Sequence, residues 1–369
     1  MPIDPKNFRD GFSDNLVPVE PMDVANNASV SDLLKEYAHT GFGGRTLGEA
    51  ADTFETMLRD PDCFVVCTLS GAMTVAKMGL VLVEMIERGW VQAIISTGAL
   101  MAHGFVEGSG RTHFKYDPRM SDVDLYNKGY DRVYDTLELE QNLDDIELIV
   151  REVVSGLPED KILSSHYLMH ELGAYLDKTI AEDARAILKA CYRHQVPIYV
   201  PAFTDSELGL DVEVLNQMRM REGKSRRIFD PFLDLQDYAS RMVVQKTTGI
   251  FTIGGGVPRN WAQQLGPLLD LMSKRLGRED DRFRFKYGVR ICPEPVHWGG
   301  LSGCTYSEGV SWGKFVPVAE GGRFSEVYCD ATIAWPLLVR GMIERLGDSP
   351  LNKELPKKAT DGALELGGP

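Results

Sequence analysis

Short apolar runs that alternate with helical patterns constrain the fold of this chain more than any other feature. Apolar runs separated by helices are typical of a mostly parallel sheet with helices on its faces. The pattern predicts an α/β fold: a Rossmann-like, mostly parallel sheet flanked by helices, in a single large domain. We predict buried strands at 63–68, 92–97, 196–203, 249–253 and 285–292, and helices at 32–39, 75–88, 166–176, 181–194 and 331–346.

The two ends of the chain differ from this central region. The first thirty residues are polar and contain four prolines, which favours an extended N-terminal arm over residues 1–30. Ser29 and Asp32 then form the pattern of a capping box, which predicts the start of the first helix. Residues 348–369 are rich in Pro, Lys and Gly and are expected to form a flexible C-terminal tail. The single domain is therefore predicted over residues 31–347.

Charge and cysteine usage exclude several classes of protein. The net charge of −14 would repel a phosphate backbone, so we expect no nucleic acid partner, whereas cationic ligands would be attracted. The six cysteines include no CxxC pair, which favours reduced thiols and a cytoplasmic protein. The N-terminus lacks the apolar core of a signal peptide, and no apolar run is long enough for a membrane span, so no membrane association is expected.

We predict no metal site. His166 and His170 have the i, i+4 spacing of two ligands on one helix, but no glutamate stands where a zinc motif requires it. Structural or surface histidines are the better interpretation.

Small residues follow three of the predicted strands. These segments are Ser70-Gly71-Ala72, Thr97-Gly98-Ala99 and Gly254-Gly255-Gly256. Ligands of parallel sheets bind beyond the carboxyl ends of the strands, where small residues let the backbone approach a pyrophosphate. Asp205 and Asp330 also end strands and suit ribose hydroxyls or amines, although Asp330 is equally well explained as a helix N-cap. No GxGxxG fingerprint is present, so the pattern leaves both a dinucleotide site and simple turns open.

The segment Ser311-Trp312-Gly313-Lys314 places a lysine beside an aromatic ring. Burial would lower the pKa of this lysine and make its neutral amine available for imine formation. The aromatic face can also hold a cationic amine. Taken alone, a lysine is far more often a solvated surface residue.

Several motifs together resemble the deoxyhypusine synthase family. Glu308–Lys314 (EGVSWGK) is similar to the family signature EAVSWGK, and Pro201–Gly209 (PAFTDSELG) is similar to PALTDGSLG. Ser96–Ala99, Thr252–Val257 and Asp330–Thr332 resemble the family's STGA, IxGGGV and DAS segments. The motifs keep the family's order and approximate spacing from residue 40 to residue 345.

The resemblance implies an NAD-binding catalytic domain over residues 31–347 and a transferase mechanism. In this family NAD oxidises spermidine, diaminopropane leaves, the signature lysine holds the aminobutyl group as an imine, and an acceptor amine takes the group over. The resemblance assigns the imine to Lys314 and the amine site to Trp312, Glu308, Asp211 and Asn260. It assigns NAD contacts to Ser70, Gly71, Ala72, Thr97, Gly98, Ala99, Asp205, Gly255, Glu294, Ser302, Asp330 and Ala331. It also implies a cytoplasmic homotetramer with active sites at subunit interfaces.

Departures from the eukaryotic pattern concern the amine substrate. Within the aligned stretch 293–304, Trp298 and Leu301 replace two aspartates, and Asn260 replaces a histidine. Each lost contact between a carboxylate and an ammonium would weaken binding by about 1.5–3 kcal/mol. The pattern is similar to the bacterial deoxyhypusine synthase-like branch, and Gly71-Ala72 stands where other members have Ser-Asn.

Four functions remain open at this point. The first is aminobutyl transfer from spermidine to a small polyamine, such as putrescine to give homospermidine. The second is modification of a protein lysine of initiation factor 5A. The third is a binding protein that has lost catalysis, and the fourth is an NAD dehydrogenase that releases NADH. Retention of Lys314 favours the first two.

Overall fold

A computed structural model describes residues 7–277 and 283–359. Its centre is a six-stranded sheet in the order β6-β2-β1-β7-β8-β9, in which every paired strand is parallel to its neighbour. The strands are β1 (Cys63–Leu69), β2 (Ala93–Ser96), β6 (Ile198–Tyr199), β7 (Thr247–Ile253), β8 (Tyr287–Ile291) and β9 (Arg323–Val327). The predicted α/β architecture with a mostly parallel sheet is therefore confirmed.

Helices cover both faces of this sheet. They are α1 (Val30–His39), α2 (Phe42–Arg59), α3 (Gly79–Glu87), α4 (Gly98–Gly108), α5 (Asp122–Asn127), α6 (Glu140–Gly156), α7 (Ser165–Thr179), α8 (Ile187–His194), α9 (Glu207–Arg221), α10 (Phe232–Met242), α11 (Gly256–Gln263), α12 (Leu265–Leu276), α13 (Tyr306–Ser311) and α14 (Ala331–Leu346). Among the described residues, no helix combines the length and apolar character that a membrane crossing requires.

Strand β1 shows why an uninterrupted apolar run predicts a strand in this fold. All seven of its residues are buried. Cys63, Val65, Cys67 and Leu69 belong to one hydrophobic cluster, whereas Phe64 and Val66 belong to the other. Successive side chains of a strand point to opposite faces, so a strand covered by helices on both sides needs an uninterrupted apolar sequence.

Helix α1 begins where the capping pattern placed it. The side chain of Ser29 accepts a hydrogen bond from the backbone N–H of Asp32 at 3.1 Å, and the helix ends at His39, as predicted. The last helix, Ala331–Leu346, also has its predicted bounds.

Other boundaries were wrong for local reasons. The strand predicted at 196–203 is reduced to Ile198–Tyr199, because Pro197 and Pro201 bracket it and have no N–H to donate to a neighbouring strand. The helix predicted from residue 75 starts at Gly79, after a turn in which Lys77 has a φ of +64°. The helix predicted from residue 181 starts at Ile187.

A second, antiparallel sheet was not predicted. It consists of β3 (Phe114–Lys115), β4 (Tyr130–Val133) and β5 (Thr136–Leu139) in the order β3-β5-β4. These strands have two to four residues and mixed polarity, so no run of apolar residues marks them. The sheet packs next to α4 through buried side chains described below.

Part of each predicted terminal segment is described. Residues 7–29 are largely exposed and contain two short 3-10 turns, Phe12–Asp14 and Val24–Asn26. The C-terminal segment 351–359, in contrast, is hydrogen-bonded to the domain and is not a free tail. Leu351 N–H donates to the carbonyl of Arg88 at 2.9 Å, and Ala359 N–H donates to that of Ser240 at 2.8 Å. Residues 1–6 and 360–369 lie outside the described parts of the chain.

Candidate active site

The carboxyl ends of β1 and β7 bring two backbone segments into close contact. The Oγ of Ser70 accepts a hydrogen bond from Gly255 N–H at 2.9 Å. A Cβ on Gly254 would lie 2.3 Å from that same Oγ, and Gly254 has a φ of +75°. A Cβ on Gly255 would lie 2.5 Å from the Cα of Ser302. Only glycine fits at these two positions without a shift of the neighbouring chain.

The ends of β2 and β6 meet in a similar way. Thr97 precedes α4, and its Oγ1 is buried and has no hydrogen-bond partner among the described residues. A Cβ on Gly98 would lie 2.3 Å from the Oγ of Ser206. Ser206 is the N-cap of α9, and the preceding Asp205 is exposed. The ends of two strands therefore present a free hydroxyl and a free carboxylate.

Asp330 ends the loop after β9. Its Oδ1 accepts hydrogen bonds from Thr332 N–H at 2.7 Å and from the Thr332 hydroxyl at 2.8 Å, so it is the N-cap of α14. Asp330 is nevertheless exposed, whereas Ala331 is buried in the first turn of the helix. The capping role does not remove this carboxylate from solvent.

The residues at this edge of the sheet fit a dinucleotide. Closely packed glycines allow the backbone to approach a pyrophosphate, and exposed strand-end carboxylates can accept hydrogen bonds from ribose hydroxyls. The buried, unpartnered hydroxyl of Thr97 is a polar group that a ligand would satisfy. Gly71 (φ +76°) and Ala72 lie in the loop after β1, and Ala99 lies in the first turn of α4, at the same edge. The assignment of individual NAD contacts stays a prediction.

The backbone of Lys314 is fixed by Phe285, two residues before β8. Phe285 N–H donates to the carbonyl of Lys314 at 2.9 Å, and Val316 N–H donates to that of Phe285 at 2.9 Å. The preceding Gly313 has a φ of +69°, a conformation that a residue with a Cβ rarely adopts. The signature segment thus leaves α13 through a tight turn and pairs next to the sheet, which sets the direction of the lysine side chain.

The side chain of Lys314 is half-buried between α11 and the signature turn. Its Nζ donates a hydrogen bond to Asn260 Oδ1 at 3.2 Å and lies 5.8 Å from the ring centroid of Trp312. Burial lowers the pKa of Lys314, and the positive charge of Arg259 acts in the same direction, while Cys304 opposes it. Lys314 is therefore not a solvated surface lysine, and its neutral amine is more accessible than in a free side chain.

The other predicted amine-site residues divide into two groups. Trp312 is 65% exposed and forms one side of the opening above Lys314. Glu308 is exposed one turn earlier, where its carboxylate accepts from Thr305 N–H at 3.3 Å in a capping box. Asp211 on α9 belongs to a separate acidic group, together with Glu207 on the same helix and Glu147 on α6. Burial, reinforced by these two carboxylates, raises the pKa of Asp211 to about 7.

Two buried arginines that the sequence analysis missed connect the glycine edge with Lys314. Arg290 on β8 is 1% exposed and donates to the carbonyls of Ser302 and Cys304, the latter at 3.0 Å. Arg259 on α11 donates to the Cys304 carbonyl at 2.6 Å. Both guanidinium groups hold the loop whose Ser302 contacts Gly255. In the sequence, Arg290 could have been noticed because it is a charged residue within the mostly apolar strand FKYGVRIC.

The loop before Ser302 carries the substituted aspartate positions. Trp298 is 71% exposed and Leu301 is 48% exposed, so both side chains face outward. Glu294 lies against Gly300, where an added Cβ would overlap its carboxylate.

His166 and His170, which have the spacing of two metal ligands, contact different groups. His166 faces Asp237 at 3.7 Å, whereas the ring of His170 packs on Tyr192. All six cysteines are free.

Comparison with known proteins identifies the family. The model of the family described as "Deoxyhypusine synthase" matches residues 32–342. The chain is 34% identical over 338 residues to "Probable deoxyhypusine synthase 2" of Methanosarcina acetivorans, covering 91% of this chain and 92% of the relative. It is 30% identical to the "Deoxyhypusine synthase-like protein" of Coxiella burnetii, covering 89% of each chain.

The fold agrees with this assignment. A crystal structure of an Entamoeba histolytica protein described as a deoxyhypusine synthase superimposes with a TM-score of 0.56 at 14% identity, covering 88% of this chain and 96% of that one. The signature lysine, the strand-end glycines and the extent of the sequence match lead to one conclusion: this chain belongs to the deoxyhypusine synthase family, a family of transferases.

Proposed function

We propose that this protein is an NAD-dependent aminobutyl transferase that acts through an imine on Lys314. The donor is spermidine or a related amine, and the acceptor is a small amine such as putrescine, which would give homospermidine. The observation that carries the proposal is the half-buried Lys314, with its lowered pKa, its hydrogen bond to Asn260 and its position beside Trp312. When bound, NAD would supply a hydride acceptor and later a hydride donor.

Lys314 supplies the nucleophile. The neutral Nζ attacks the oxidised carbon of the donor, diaminopropane leaves with the electron pair of the broken C–N bond, and the aminobutyl group remains as an imine on Nζ. The acceptor amine then attacks the same carbon and displaces Lys314. Asn260 accepts a hydrogen bond from Nζ without adding a charge, so it orients the amine but does not favour its protonated form.

The choice of a small acceptor rests on the loop over residues 293–304. Trp298 and Leu301 leave this loop without two carboxylates that would hold a polycation, while Trp312 offers an aromatic face for an ammonium group. Two carboxylates remain in this region: Glu294 at the start of the loop, which is half-buried, and Glu308 within the signature, which is exposed. A homotetramer with shared active sites follows from family membership and remains part of the proposal.

Product analysis tests this proposal. The enzyme is incubated with NAD, spermidine labelled in its aminobutyl group, and either putrescine or initiation factor 5A. We expect labelled homospermidine with putrescine, and borohydride should trap the label on Lys314. Label found in the protein acceptor alone would favour deoxyhypusine synthesis. Absence of any trapped adduct would indicate a non-catalytic protein, and net NADH release proportional to amine turnover would indicate a dehydrogenase.

A further inference from the structure

Two histidines and a glutamate meet where α4 packs against the antiparallel sheet. His103 lies on α4, His113 lies between α4 and β3, and Glu138 lies on β5. His103 Nδ1 is 3.2 Å and His113 Nε2 is 2.6 Å from the same atom, Glu138 Oε2. The three potential ligand atoms all lie within 4.8 Å of one another. Ligand atoms bonded to one tetrahedral ion at about 2.0–2.2 Å lie roughly 3.3–3.6 Å apart, so small shifts of these side chains would bring all three atoms to one ion.

The orientation of the groups also points to a shared ligand. Despite its short distance to Glu138, the buried Nε2 of His113 makes no hydrogen bond, because the two groups are not aligned for one. Side chains that bind one metal ion direct their lone pairs at the ion and not at each other. An unpartnered imidazole nitrogen beside a carboxylate oxygen is the arrangement that such an ion would satisfy.

Burial removes this arrangement from solvent. Glu138 Oε2 is hydrogen-bonded to His103 Nδ1, so the atom left without a partner is His113 Nε2. His113 is 6% exposed and Glu138 is 0% exposed. Asn142 Nδ2 donates to Glu138 Oε1 at 2.7 Å, which fixes the carboxylate and leaves Oε2 directed at the histidines. Asp131 on the neighbouring strand β4 interacts electrostatically with His103 and Glu138, and its buried Oδ2 has no partner among the described residues.

We propose that His103, His113 and Glu138 form a structural binding site for a divalent transition metal of the Zn²⁺ class. Two imidazoles and one carboxylate are a typical zinc ligand set, with water in the fourth position. The ion would join α4, which starts at the cofactor edge of the main sheet, to the antiparallel sheet. This site is separate from Lys314 and does not depend on the proposed transferase activity.

Lys77 contacts the other nitrogen of the His113 ring. Its Nζ lies 2.8 Å from His113 Nδ1 and 3.3 Å from Glu107 Oε1. A metal on Nε2 leaves the ring N–H on Nδ1, where a neighbouring hydrogen-bond acceptor would orient the ring. Lys77→Gln should therefore bind the metal at least as tightly, because the amide oxygen can accept a hydrogen bond from Nδ1–H.

Metal titration of the full-length protein tests the site. Chelator-treated protein without an affinity tag is titrated with Zn²⁺ and with Co²⁺, followed by calorimetry and by the visible absorption of bound Co²⁺. We expect one ion per chain and a metal-dependent rise in melting temperature. His103→Ala and Glu138→Gln should each weaken binding by roughly 100-fold, as loss of one of three ligands implies. His194→Ala, which alters an exposed histidine on α8, is the matched control.

Circular dichroism verifies that each variant is folded. If His103→Ala does not fold, Glu138→Gln, which keeps the side-chain volume, decides the question. The proposal is overturned if the wild type binds no stoichiometric metal, if both ligand variants bind as tightly as the wild type, or if Lys77→Gln loses the metal.

Discussion

The two edges of the main sheet are built in opposite ways. At the carboxyl edge, glycines, a buried unpartnered hydroxyl and exposed carboxylates leave polar groups free. At the amino edge, the C-terminal segment 351–359 is hydrogen-bonded to the domain, including to the first residue of β1. The Nζ of Lys353, for example, donates to the carbonyl of Cys63 at 3.0 Å and to that of Met57 at 3.3 Å.

The comparison teaches that groups left unpaired at one edge are available for ligands, whereas groups paired at the other edge contribute to stability. Burying an unpaired polar group costs free energy, so the carboxyl edge is expected to be the less stable of the two in the absence of a ligand. Substitutions at the two edges should accordingly separate activity from stability.

The largest effect is expected from Lys314→Arg. Arginine keeps the positive charge but stays protonated and cannot form the imine, so we expect kcat to fall by roughly 1000-fold or more with little change in melting temperature. Steady-state transfer assays and borohydride trapping measure this. Lys246→Arg, a surface exchange paired with Asp62, is the control. Retention of substantial transfer activity by Lys314→Arg would contradict the lysine mechanism.

At the amino edge, the double substitution Leu351→Ala with Leu355→Ala should reduce stability and leave catalysis intact. Both leucines pack against the hydrophobic clusters and are part-buried. We expect the free energy of unfolding to fall by about 2 kcal/mol, measured by denaturant titration. Asn352→Ala with Lys357→Ala alters exposed neighbours and serves as the control. A drop in kcat without loss of stability would show that the two edges are not separable.

At the carboxyl edge, Gly255→Ala should weaken NAD binding and leave the stability of the fold largely unchanged. Its backbone is extended, so the strain arises only from the new Cβ, which would lie 2.5 Å from the Cα of Ser302. The Ser302 loop must move, and we expect the KM for NAD to rise by roughly tenfold, about 1.4 kcal/mol of binding. Gly43→Ala, where a Cβ meets no atom within 4 Å, is the control. An unchanged KM for NAD would remove Gly255 from the cofactor site.

The smallest effect is expected from Asp211→Asn on α9, the helix that begins at the carboxyl edge. The pKa of Asp211 in the folded protein, about 7, lies above the ordinary value of an aspartate, so the wild type binds more protons when folded. Its contribution to stability is complete below about pH 4 and is lost as pH rises through 7. An asparagine at position 211 does not ionise, so the variant does not lose this stability as the pH rises.

Because Asp211 is only part-buried, we expect the variant to be more stable by about 1 kcal/mol at pH 8 and equal at pH 4. Denaturant titrations across this pH range measure the difference. Glu213→Gln, on the same helix with a side chain about half exposed and paired with Arg226, is the control. A stability difference that is the same at both pH values would indicate that Asp211 is not held in its protonated form.

The sequence by itself determined the parallel sheet and the identity of its functional edge. Strands buried on both faces need uninterrupted apolar runs, and strand-end glycines are visible as local motifs, so 63–69 and 254–256 could be interpreted without coordinates. The signature around Lys314 likewise identified the family, although local chemistry alone would have left this lysine on the surface.

Only the tertiary structure decided which distant side chains meet. No strong local sequence pattern marks three features of the fold. These are the two-residue strand β6 between its prolines, the small antiparallel sheet, and the hydrogen-bonded segment 351–359. Arg259 and Arg290 hold the Ser302 loop from different elements, and His103, His113 and Glu138 come from a helix, a loop and a strand. Such contacts depend on how elements pack against one another, and the spacing of residues along the chain does not encode that packing in a directly readable form.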